Sequence, residues 1–145
     1  MQGKVVGLYC NKTKGQVGEP SQVLKMEAGQ GVFGDRHKGK GDRQVSITSA
    51  EIKDWMDKEE EKGLCFNKFK ENITLEGIPL EALKIGDVLE IGQVQLGLTE
   101  CNKDCHADSC QLPRSKMPCK LIHSEIFAKV ITSGEIKLGD IVKLI

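Results

Sequence analysis

The sequence lacks a surplus of charge of either sign. Its 145 residues carry 21 Lys and Arg against 21 Asp and Glu, a formal net charge of zero. A general electrostatic grip on nucleic acid needs a cationic surplus on at least one face, so the composition argues against that class and leaves only a local basic patch. Long apolar runs are lacking too. None approaches the ~20 residues of a membrane-spanning helix, and the run after Met1-Gln2-Gly3-Lys4 is too short for a signal peptide. These absences point to a soluble, cytoplasmic protein with no membrane partner. The chain has no Cys-x2-Cys pair, the compact half of most structural zinc sites. It also lacks the strand–helix alternation of parallel βαβ units. A chain of this length fits one domain, 1–145, able to bury a core without a covalent staple.

What is present reads mainly as strand. Lys4-Val-Val-Gly-Leu-Tyr-Cys10 is β-branched and apolar, and Gln22–Glu27, Gln44–Thr48, Asn72–Leu75, Val94–Glu100 and Phe127–Ile131 read as further strands. Lys120–Lys129 fits a short helix or a strand entry. Leu83-Lys-Ile-Gly-Asp-Val-Leu-Glu-Ile-Gly92 recurs in outline as Ile136-Lys-Leu-Gly-Asp-Ile-Val-Lys-Leu-Ile145. Each copy predicts a tight Gly-Asp turn followed by a strand, and two such units favour a barrel or Greek key over an α/β stack. One helix is expected: Thr48-Ser-Ala-Glu51 matches a capping box with Thr48 as N-cap. It would run to about Lys62, burying Ile52, Trp55 and Met56 and stopping at Gly63. The fold class is mainly β, barrel-like, with one or two short helices.

Between Gly29 and Gly41 five glycines prevent regular structure, and Arg36, His37, Lys38, Lys40 and Arg43 cluster nearby with Asp35 and Asp42. Gly34-x4-Gly39-Lys40 imitates a phosphate loop. It fails because Gly41 follows where Ser or Thr would hold magnesium, and because the next segment reads as a strand rather than a helix. Two readings remain open, a basic loop approaching an anionic ligand and a solvated charged loop.

Four of the six cysteines, Cys101, Cys105, Cys110 and Cys119, fall in one polar stretch. A metal site, disulfides and thiol chemistry are the alternatives. The spacing is poor for structural zinc, and a reducing compartment disfavours disulfides. Cys119 has Arg114, Lys116, Lys120 and His123 within five residues. Cations so placed favour a thiolate and make it a better nucleophile. Cys10 reads as a small buried hydrophobe.

Several blocks in this order, Gly34-Asp-Arg-His37, Arg43-Gln-Val-Ser46, Phe69-Lys-Glu-Asn-Ile-Thr74 with Glu76-Gly77-Ile78, Ile85-Gly-Asp87, and Cys119 followed by Ile126-Phe-Ala-Lys-Val130, resemble the MOSC domain. That domain ends molybdenum cofactor sulfurases and also occurs as small stand-alone bacterial proteins. The resemblance spans roughly residues 5 to 145. It implies a barrel-like β fold that binds molybdenum cofactor (molybdopterin) and carries sulfur as a cysteine persulfide for delivery to a metal centre. The persulfide cysteine maps onto Cys119. Arg36, His37 and Arg43 would meet the anionic pterin, and Glu71 and Asn72 would line the same pocket. Arg43 and Glu71 also have a plainer reading, as halves of a buried ion pair that shapes the barrel. The half of the large sulfurases that mobilises sulfur is missing from these residues, so a cysteine desulfurase or a molybdoenzyme is the implied partner. Cys101, Cys105 and Cys110 depart from the family pattern and leave open a zinc site or relay of sulfur between thiols. A pterin-binding or partner-docking module without sulfur chemistry is the alternative function.

Overall fold

The computed structural model describes residues 2–12, 19–35, 38–39, 41–51, 71–100 and 126–145. Alternation of apolar and polar residues builds β1 (Gln2–Cys10), β2 (Glu19–Pro20), β3 (Val23–Glu27), β4 (Gly31–Val32), β5 (Val45–Ser49) and β6 (Ile73–Glu76). The chain continues through β7 (Val88–Ile91), β8 (Val94–Glu100), β9 (Ile126–Thr132), β10 (Gly134–Lys137) and β11 (Ile141–Leu144). The large sheet runs β11-β7-β8-β9-β5-β6-β1, and β11 pairs back onto β1. This closes a seven-stranded barrel. Closure removes the unpaired edges that an open sheet of this size would present. Strand β2 extends the end of β1, and β10-β3-β4 form a separate three-stranded sheet. Among the described residues, no helix is long and apolar enough to cross a membrane.

The barrel expected from the two Gly-Asp units is present, and the units share their bonding. In the first, the Lys84 N–H donates to Asp87 Oδ2 (2.9 Å) and the Asp87 N–H to Lys84 O (3.1 Å). In the second, the Lys137 N–H donates to Asp140 Oδ2 (2.9 Å) and the Asp140 N–H to Lys137 O (3.1 Å). Each turn then brackets one residue of a neighbouring strand. Leu98 receives Gly86 N–H and donates to Asp87 O, while Val5 receives Gly139 N–H and donates to Asp140 O. Gly86 and Gly139 sit at φ +95° and +88°, where a Cβ is disfavoured.

Inside the barrel Val45, Ile47, Ile73, Leu75, Leu89, Ile91, Leu96 and Ile126 are fully buried. Of three register shifts in the described barrel pairings, two bear on which residues reach the core near the site. On β1 the pairing jumps from Val5–Leu75 to Gly7–Thr74, so Val6 is the extra residue. Val5 and Leu8 are therefore both buried although three apart. On β8 it jumps from Leu98–Ala128 to Glu100–Phe127, leaving Thr99 extra.

The chain is tight where β1 crosses the end of β6. A Cβ built on Gly3 would meet the Glu76 carbonyl oxygen, and would lie 2.8 Å from Ile78 Cγ1. Ile78 is itself buried. Gly3→Ala is therefore expected to destabilise the fold by about 1–3 kcal/mol, read as a lowered midpoint in urea with an unchanged slope.

The helix start differs from the expectation. Thr48 is not an N-cap, because it lies in β5 opposite Thr74 of β6. The strand continues to Ser49, and Ala50 and Glu51 are the first helical residues. Parallel pairing with β6 holds the backbone extended one residue further than the local capping signal suggests. The remainder of the expected helix, with Ile52, Trp55 and Met56, lies outside the described residues.

Candidate functional site

Strands have a side-chain period of two. On β5, Val45 and Ile47 face the core, so Ser46 and Thr48 face the other way. On β6, Ile73 and Leu75 face the core, which leaves Asn72 and Thr74 on the outer face. Ser46 is also opposite Phe127 on β9, and Phe127 is opposite Glu100 on β8. A polar outer stripe thus crosses four neighbouring strands. The bulge at Thr99 is what brings Glu100 onto it. In regular register Glu100, two residues after buried Leu98, would point into the core.

The stripe is mostly buried. Ser46, Thr48, Asn72 and Thr74 are all at most 4% exposed. Asn72 is its anchor. Its Oδ1 accepts the Ser46 N–H (3.0 Å). Its Nδ2 donates to Tyr9 O (3.2 Å) and to Asp35 Oδ2 (2.7 Å). The same carboxylate oxygen accepts the Asn11 N–H (2.8 Å), and Asn11 Nδ2 donates to Glu71 O (3.1 Å). One buried network therefore ties the end of β1, the Gly34-Asp35 loop, β5 and the entry to β6. The Thr74 hydroxyl, also buried, finds no hydrogen-bond partner among the described residues. Such a group costs free energy unless a ligand or water satisfies it.

Arg43 stands at the edge of this stripe. A short 3-10 turn, Gly41–Arg43, delivers it just before β5. Its guanidinium carbon lies 4.8 Å from the centroid of the Phe127 ring. Nε and Nη2 bond the two carboxylate oxygens of Glu100, at 2.6 and 3.1 Å. The plainer reading makes Arg43 and Glu71 a buried ion pair; the carboxylate that the Arg43 fork holds is instead that of Glu100. The two side chains are 59% and 33% exposed, so the pair contributes only ~0.2–1 kcal/mol to stability.

The site residues expected from the sequence fall into two groups. Arg43, Glu71 and Asn72 are described. Asn72 links directly to the stripe through Ser46, and Arg43 through Phe127. Arg36, His37 and Cys119 lie outside the described residues, as do Cys65, Cys101, Cys105 and Cys110. Lys38, from the same basic loop, pairs with Glu27 at 3.0 Å and lies over Phe33. The segment after Arg43 is the strand β5, not the helix that a phosphate loop would lead into. Cys10 is half-buried against the core, with Sγ 3.9 Å from Phe33 O. Burial pushes its thiol above the usual range, Asp35 and Glu19 add to the shift, and Lys12 opposes it. A raised thiol is a poor nucleophile at neutral pH.

Asp35, Asn11, Thr74 and Glu100 carry the geometry but were not singled out by the sequence. Asp35 had a usable signal, as the one acid inside Gly34-Asp-Arg-His37. Glu100 had none, since its role depends on a bulge.

A family model described as MOSC domain matches residues 34–143. Among solved structures the chain is similar to the YuaD protein from Bacillus subtilis, with 22% identity and a TM-score of 0.72 over 98% of this chain and 94% of that one. It is also similar to YiiM from Geobacillus stearothermophilus, with 17% identity and a TM-score of 0.66 over 99% of this chain and 75% of that one. YiiM from Escherichia coli gives 16% identity and a TM-score of 0.62 over 100% and 70%. At these identities the structural likenesses establish the fold alone, and no curated protein matches the chain. The family match covers most of the sequence, including β5, β6 and the Arg43 turn: the chain belongs to the MOSC domain family.

Proposed function

We propose that this chain binds the molybdenum cofactor, or a closely related anionic pterin, against the outer stripe beside Arg43, and that Cys119 carries sulfur there as a persulfide. The observation that carries the reading is the exposed, ring-supported guanidinium of Arg43 at the edge of a buried polar stripe that includes one unsatisfied hydroxyl, Thr74. A phosphate-bearing pterin needs that combination of a cation with aligned forks and nearby polar groups. Arg36 and His37 directly follow Asp35 in the sequence and add to the cationic set. Glu71 and Asn72 shape the pocket wall. With all three of its bonds committed within the protein, Asn72 acts by position rather than by ligand contact.

Cys119 lies in sequence between β8 and β9, the strands that carry Glu100 and Phe127. Its cationic sequence neighbours favour the thiolate. That thiolate attacks the outer sulfur of a desulfurase persulfide. A new S–S bond forms on Cys119, the donor S–S bond breaks, and the donor cysteine leaves as its thiolate, with no net oxidation. Release as sulfide needs a second thiol, which forms a disulfide with Cys119 and supplies the two electrons. The bound cofactor would supply the metal centre that accepts the sulfur.

The test is an equilibrium titration of the purified chain with molybdenum cofactor released from a molybdoenzyme, followed by pterin fluorescence. Saturable one-to-one binding, retained in Cys119→Ser, supports the pterin site. Absence of binding to the folded wild type contradicts it.

A further inference from the structure

We propose that Glu100 is a built-in counter-ligand, holding the guanidinium of Arg43 with its carboxylate until an oxyanion of the ligand takes its place. This rests on the reading of Arg43 as the anion-binding group and adds a specificity device to it. Three observations carry it. First, Glu100 reaches Arg43 only because β8 bulges at Thr99; without the extra residue its side chain would face the apolar core. A bulge that re-aims one acid onto one arginine is a specific feature of the strand.

Second, the contact is the two-toothed one that a phosphate also makes. Nε and Nη2 each bond one carboxylate oxygen, and a phosphate can present two oxygens to the same edge. The guanidinium carbon lies over the Phe127 ring, 4.8 Å from its centroid, a contact that does not depend on Glu100 and so helps to hold Arg43 in place when Glu100 departs. Third, the pair is partly exposed, so solvent screens it and an arriving anion can reach the guanidinium. Exchange for a more highly charged oxyanion is therefore easy, while a neutral ligand gains nothing by displacing Glu100. The carboxylate selects for anions and against uncharged heterocycles.

Inorganic phosphate is the probe, titrated into the full chain while the Arg43 Nε–H resonance is followed by NMR. In the wild type, phosphate is expected to shift that resonance saturably. Glu100→Gln is expected to tighten phosphate binding about 3- to 5-fold, the scale set by a partly exposed ion pair. Glu100→Asp, too short to hold both guanidinium nitrogens, is expected to tighten it as well. Glu135→Gln, the same charge change on β10, is the control and should leave the affinity unchanged.

Unchanged or weaker phosphate binding by Glu100→Gln overturns the exchange, even where the pterin titration succeeds. An equal gain in Glu135→Gln overturns it too, since net charge would then explain the effect. A failed pterin titration with the phosphate exchange intact overturns the cofactor reading alone.

Discussion

Asn72→Ala is expected to destabilise the protein by about 3–5 kcal/mol. The cost comes from what the side chain leaves behind. The buried Ser46 N–H, the partly buried Tyr9 carbonyl and the buried Asp35 carboxylate each lose one hydrogen bond, although Asp35 keeps the Asn11 N–H. Asn72 itself is 0% exposed. A buried polar group deprived of its hydrogen bond costs ~1–3 kcal/mol, and three groups each lose one here. Against a total stability of ~5–15 kcal/mol, that is a drop in Tm of order 10 °C. Asn72→Asp tests the mechanism. It removes the donor to Asp35 and sets two carboxylates side by side, so at pH 7 it should be at least as damaging. At pH 4 one of the pair can be protonated and donate again, so the deficit relative to wild type should shrink. An equal deficit at both pH values would mean the loss is one of packing.

Arg43→Ala is expected to behave in the opposite way. Its ion pair with Glu100 is exposed, so stability should change by less than about 1 kcal/mol. Affinity for the pterin cofactor should fall about 10- to 100-fold, the worth of one charge-assisted, two-toothed contact to a phosphate. Arg43→Lys keeps the charge but loses the fork and the stacking on Phe127, so it should fall between the two. The same fluorescence titration measures all three, with urea unfolding as the companion measurement. A large loss of stability in Arg43→Ala would instead make Arg43 a structural residue.

These contrasting roles explain what was legible in the sequence. The barrel and its strands were, because alternation and Gly-Asp turns are local signals and this fold obeys them; the short β2, β4 and β10 were not. The two repeated units form turns with the same bonds. The choice of Arg43 and Asn72 came from the family resemblance, and the structure puts Asn72 on the outer stripe and Arg43 at its edge. Their partners were hidden. Glu100 lies 57 residues from Arg43, and Asp35 lies 37 residues from Asn72. Nothing local encodes contacts at that separation. The face on which Glu100 emerges was equally hidden, since a β-bulge is a property of a strand pair. Thr48 shows a local signal overridden. A capping box marks it as a helix start, yet pairing with Thr74 keeps it in the sheet. Cys119 was chosen from its charged neighbours in sequence and from the resemblance, and it remains the chemical centre of the proposed function.

Peptide-mapped mass spectrometry of the purified chain, after incubation with a cysteine desulfurase and cysteine, tests that centre most directly. The account predicts a gain of one sulfur atom on the peptide containing Cys119, reversed by reductant and absent in Cys119→Ser. Cys10, with its raised thiol, should gain none. Sulfur appearing equally on Cys10 or on Cys101, Cys105 and Cys110, or an undiminished gain in Cys119→Ser, would contradict the assignment of Cys119 as the sulfur carrier.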